Sequence, residues 1–142
     1  MMFTLDEKSA IIFNIVLEMC NKSNERYIKI DNSKGVYMTL SVEFLYSLGK
    51  YSVYSFSHYY KQNGDMCPDP DMTFFVETKE PKNIIPATFQ DSYSYKEICE
   101  LSTIGELTVN CMMKLKDLCQ FSKIWLKNIY EQQELKQERA QA

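Results

Sequence analysis

The chain has 142 residues, close to one domain, and 16 Lys or Arg against 19 Asp or Glu, a net charge of −3. Hydrophobic residues make up 45% and charged residues 25%, which excludes global disorder. There is no basic excess to hold phosphates, and only Arg26 and Arg139 carry the planar fork that reads them, so direct nucleic-acid binding is not expected.

Thr4 and Glu7 fit a capping box that opens a helix at about residues 5–21, with Ile12, Ile15, Val16 and Met19 as its apolar stripe. The start, Met1 to Lys8, lacks a positively charged lead and an apolar run, and no stretch is apolar enough to span a membrane, so a cytoplasmic location is expected. Five scattered cysteines with no C-x-x-C pair fit free thiols, and one histidine gives zinc little support.

Strands are expected over 26–30 and from Val36 through Glu43, joined by an Asp31–Gly35 turn, the second weakening before Gly49-Lys50. The clearest strand is 51–60, with Tyr54, Phe56, His58 and Tyr60 alternating on one face. Residues 61–71 hold two prolines, a glycine and three aspartates and predict a long loop. A strand over 72–77 would pair with 51–60, and 84–90 would add an edge strand containing Pro86. From Glu106 the period changes. Cys111, Leu115, Leu118, Ser122, Trp125 and Ile129 make a helical stripe, widened by Met112, Cys119 and Leu126. Trp125 reads as core, and the polar tail 131–142 as exposed or frayed.

The expected fold is therefore α+β in a single domain. It has an N-terminal helix, an antiparallel meander of about four to five strands, and a long C-terminal amphipathic helix packed on the sheet. One sheet face would be covered by helices, and the other partly open and rich in tyrosine.

The acidity is local: residues 61–105 carry eight acids and four bases. Asp65, Asp69 and Asp71, beside Tyr54, His58 and Tyr60, are the candidate binding residues for a protein partner with a basic surface. No catalytic residue, metal site or cofactor is expected. The three aspartates lack the spacing of a calcium loop. Pro70-Asp71 and Glu77-Thr78-Lys79 match a metal-nuclease pattern only loosely, with five residues between the halves. The alternative is a ligand- or metal-binding enzyme in which His58 and Asp65, Asp69 and Asp71 frame a pocket.

The run His58-Tyr59-Tyr60, Gln62-Asn63-Gly64-Asp65-Met66, Pro68-Asp69-Pro70-Asp71-Met72 and Phe74 resembles the central motif of a family of small bacterial proteins found on phages, conjugative elements and prophage-like islands. The segments Leu40 to Glu43 and Trp125 to Gln133 are also similar. The resemblance implies a genetic setting, an accessory gene of a mobile element. Such genes often encode inhibitors of host defence, and the resemblance implies no reaction or ligand.

Overall fold

The computed structural model describes residues 4–31 and 38–135. It has an N-terminal helix α1 (Glu7–Lys22), strands β1 (Tyr27–Ile30), β2 (Leu40–Leu48), β3 (Tyr51–Gln62), β4 (Asp65–Glu77), β5 (Ile84–Gln90), β6 (Tyr95–Glu97), β7 (Cys99–Leu101) and β8 (Leu107–Val109), and a C-terminal helix α2 (Met112–Gln132). The architecture is α+β. The first six strands form one antiparallel sheet in sequence order, and β7 and β8 form a separate hairpin. The strand count exceeds the expected four to five because β6, β7 and β8 have three residues each, too few for a periodic pattern to register. The turn expected at 31–35 lies largely outside the described residues.

Helix α1 is capped by Asp6, not Thr4. The Asp6 carboxylate accepts the Ser9 amide at 2.8 Å. An aspartate one residue before the helix satisfies an orphan N–H and sits favourably against the helix dipole. The preceding Leu5 amide is already committed to the Ile84 carbonyl at 2.9 Å, which ties the start of α1 to β5.

Both helices pack on the same face of the sheet. Phe13 of α1 stacks on Phe56 at 4.4 Å and meets Phe74 edge-on at 4.9 Å. Leu40, Val42, Met72, Ile84, Leu115, Leu126 and Ile129 complete a fully buried core. The stripe Leu115, Leu118, Ser122, Trp125 and Ile129 is the buried side of α2, as its spacing requires. The helix starts at Met112, because residues 107–109 are taken up by β8. The segment expected as exposed or frayed from residue 131 is packed as far as it is described: Gln133 and Leu135 are buried, and the Gln133 amide Nε2 donates to the Met38 carbonyl at 3.0 Å. Residues 136–142 lie outside the described residues.

The largest correction concerns residues 61–71, expected as a loop. The chain instead continues as strand on both sides of a two-residue turn, Asn63-Gly64, with φ of 54° and 87°. Two consecutive positive φ values match the twist of an antiparallel pair, and Asn-Gly meets that requirement. The ladder pairs Tyr59 with Pro68, Tyr60 with Cys67, Lys61 with Met66 and Gln62 with Asp65. Pro70 falls in the irregularity between the Ser57 and Tyr59 pairings, where no ladder N–H is required of it. Strands β2 and β5 end against Ser57 and Asp71, so, among the described residues, 59–68 project beyond the sheet as a two-stranded arm.

Candidate functional site

The sheet face away from the helices is the candidate site. Antiparallel register aligns side chains across strands, and on this face it produces two continuous rows. One runs Lys29, Ser41, Ser57, Asp71, Gln90, Tyr95. The other runs Tyr27, Glu43, Ser55, Thr73, Thr88, Glu97. Small hydroxyl side chains occupy the middle of both rows, so the centre of the face is a low, polar floor. Thr73 and Thr88 share a hydroxyl–hydroxyl hydrogen bond of 2.6 Å across it. Larger side chains rise at either end, leaving two depressions of about 390 and 400 Å³. The first is flanked by Tyr27, Tyr59 and Met66, the second by Tyr46 and Tyr95.

The β7–β8 hairpin bounds the second depression, and its position is set by a backbone contact. Gly105, at φ +85°, lies so close to the β2–β3 turn that a Cβ placed on it would stand 2.6 Å from the Cα of Gly49. Gly49 itself has φ +61°. Only glycine at both positions permits this approach.

The face is acidic. Asp71 accepts a hydrogen bond of 2.5 Å from the Tyr59 hydroxyl, and partial burial with this carboxylate pushes the phenol up to about 12. Partial burial also pushes the Tyr95 phenol up, reinforced by Glu97, Asp71 and Glu100. Lys29 is the only cation in the two rows.

The six sequence-predicted residues are not brought together. Tyr54 lies on the helix-covered face, 3% exposed, where its hydroxyl donates to Asn21 Oδ1 at 3.1 Å and accepts from Arg26 at 3.2 Å. His58 lies on the same covered face. Its Nδ1 is 3.0 Å from the Thr39 carbonyl, and its ring meets Trp125 edge-on at 5.5 Å. Burial pushes its pKa down against the opposing pull of the Thr39 hydrogen bond and Asp69, so the imidazole is neutral near pH 7 and Nδ1–H donates to the carbonyl. Tyr54 and His58 thus leave the candidate surface. Helix packing claimed the face of β3 that carries Phe56, and side chains two apart go with it. Tyr60 bonds Ser92, just beyond β5, at 2.6 Å; Asp65 is exposed on the arm and Asp69 at its base. Only Asp71 reaches the open face.

Asp71 and Glu77 are on one strand, and Glu77 accepts from Asn83 Nδ2 at 3.2 Å, so the loose nuclease pattern assembles no site. Among the described residues no group of three or more His, Cys, Asp or Glu side chains is placed to hold a metal. All five cysteines are unpaired. Among the described residues no helix is long and apolar enough to cross a membrane.

The residues that sequence reading missed are the row members Ser41, Glu43, Ser55, Ser57, Thr73, Thr88, Tyr95 and Glu97. Only β3 shows its hydroxyls, Ser55 and Ser57, at alternate positions on this face, and the alignment between strands follows from register, which no single strand encodes.

The sequence matches a domain of unknown function, DUF6908, over residues 10–135. The chain belongs to this family. The match spans the helices and all eight strands except the first turn of α1, so the DUF6908 unit and the fold described here coincide. Among curated proteins and solved structures, no match is found.

Proposed function

We propose that this DUF6908 protein is a non-enzymatic binding module that takes a basic segment of a protein partner on the open face of its sheet. The observation that carries the reading is the contrast between the two faces. One is sealed by α1 and α2. The other leaves tyrosines over a hydroxyl floor, with Glu43, Asp71 and Glu97 in its rows and a single lysine. Tyrosine supplies large contact area at low entropy cost, and the carboxylates favour and orient a cationic partner. The arm, with Asp65 on it and Asp69 at its base, extends the acidic surface beyond the sheet. A phage or mobile-element setting, with a host defence or nucleic-acid-handling protein as the inhibited partner, fits the motif resemblance and belongs to the same proposal.

The test is affinity capture from the native host, followed by calorimetry on the purified pair as salt rises from about 50 to about 300 mM. Affinity should fall with salt. Ser57 is 6% exposed, so Ser57→Lys must lift its ammonium out over the face; it should abolish binding, and an unchanged melting temperature by circular dichroism shows that the loss is not one of folding. A captured partner that binds the Ser57→Lys variant as well as the wild type removes the open face from the reading.

A further inference from the structure

The depression beside the β7–β8 hairpin differs in make-up from the rest of the face. Its base combines the buried Val53 and Phe75, 2% and 4% exposed, with the Thr73 and Thr88 hydroxyls, and the half-exposed Leu45 adds apolar surface at its side. Tyr46 and Tyr95 stand at its sides, 47% and 58% exposed, with ring surface available to a ligand. Glu97 and Glu100 both lie at its rim, and the neighbouring Glu100 pushes the Glu97 carboxyl up. The rim is braced: the Tyr95 hydroxyl reaches Glu97 Oε2 at 3.5 Å, and Asn110 Nδ2 donates to the Glu97 carbonyl at 3.0 Å. No lysine or arginine lines the pocket. Neither glutamate belongs to an ion pair found among the described residues.

Two carboxylates held this close repel each other when both are ionised, and a cation between them removes the repulsion. A hydrated hard metal ion wants oxygen ligands on all sides and gains nothing from the apolar part of the lining. An organic cation gains from several parts of this pocket: its charge from the carboxylates, its flat face from the tyrosine rings, its aliphatic stem from Leu45 and Leu101. Guanidinium fits better than ammonium, because its planar fork can address two carboxylates while it stacks on an aromatic ring. A volume of about 400 Å³ accommodates such a side chain together with flanking backbone.

We propose that this pocket is the anchor site for an arginine side chain of the protein partner. The proposal rests on the reading of the open face as a receptor for a basic segment, and names where that segment is gripped.

The probe is N-acetyl-arginine methylamide, titrated into the isotope-labelled full chain and followed by amide shifts in two-dimensional NMR. Saturable shifts are expected at Phe75, Glu97, Glu100 and Leu101, with a Kd of about 1–10 mM for an isolated side chain. The lysine analogue should bind several-fold more weakly, and spermidine should not move Phe75. The double variant Glu97→Gln/Glu100→Gln alters two exposed side chains; it should keep the wild-type spectrum elsewhere and lose at least fivefold in affinity. Shifts that never saturate, or equal affinity in the double variant, overturn the proposal. Spermidine matching the arginine probe shift for shift would make the pocket a polyamine site instead, which also overturns it. The two readings fail separately. A partner that is lost on Ser57→Lys but bound normally by Glu97→Gln/Glu100→Gln sinks the arginine anchor alone. An arginine probe that binds, with a partner indifferent to Ser57→Lys, sinks the wider reading and leaves the pocket.

Discussion

Glycine 105 shows how much a single residue can fix. Gly105→Ala adds a methyl group where the Gly49 backbone already stands, at a φ of +85° that side chains rarely adopt. A loss of about 2–3 kcal/mol in urea unfolding is expected. The control is Gly64→Ala, whose φ is +87° but whose Cβ would meet nothing within 4 Å; it should cost about 1 kcal/mol, the conformational part alone. A second residue-scale outcome concerns Trp125. Its Nε1 is buried without a hydrogen-bond partner among the described residues, so the indole already bears the cost of an unsatisfied donor. Trp125→Phe should therefore cost only about 1 kcal/mol, against about 3–5 kcal/mol for Trp125→Ala, both read from denaturant midpoints. His58 supplies a pH dependence. Its folded pKa is depressed, so the unfolded chain binds the extra proton first, and stability is full above the unfolded value of about 6.5 and declines as pH falls below it. His58→Gln should flatten that slope; an unchanged slope would place the titrating group elsewhere.

Among the elements, α1, α2 and β3 were legible because each carries its own period: the stripe from Leu115 to Ile129 repeats at helical spacing, and Tyr51 to Tyr60 alternates at two. The arm was not. Pro68, Pro70 and the aspartates are depleted in strands, and their combined weight pointed to a loop, whereas Asn63-Gly64 is a strong two-residue hairpin signal. The prolines are tolerated because this part of β4 has no β5 neighbour and Pro70 sits in a register irregularity, so no ladder bond is lost. Among the described residues, 59–68 are paired on one side only, which sets their stability apart from the body. Their amides should exchange with deuterium at least about tenfold faster than those of residues 52–57, which lie between β2 and β4. Equal protection in the two halves of the hairpin would show the arm to be part of the cooperative core.

For the whole molecule, the excess of acids in residues 61–105 was visible in the sequence, but not where the fold would send it. Asp71 and Glu97 went to the open face, Asp65 to the arm and Asp69 to its base, and His58 was drawn under the helices. A face is a property of register across six strands, and a one-residue slip in any of them would exchange its two sides. Changing Asp65 and Asp69 to Asn should leave the melting temperature within about 2 °C, since exposed carboxylates contribute little to stability. It should slow association with a basic partner more than it speeds dissociation, because charges at the edge of a surface act mainly through steering. A dissociation rate that changes as much as the association rate would place the arm inside the interface.

The projecting arm also makes the protein modular. A Cβ on Gly64 would touch nothing within 4 Å, and among the described residues neither β2 nor β5 pairs with residues 59–68. Asn63-Gly64 is therefore a grafting point. A foreign peptide, an epitope or a dye-bearing linker spliced there extends the arm's reach while the helices, the six-stranded sheet and the β7–β8 hairpin keep their places.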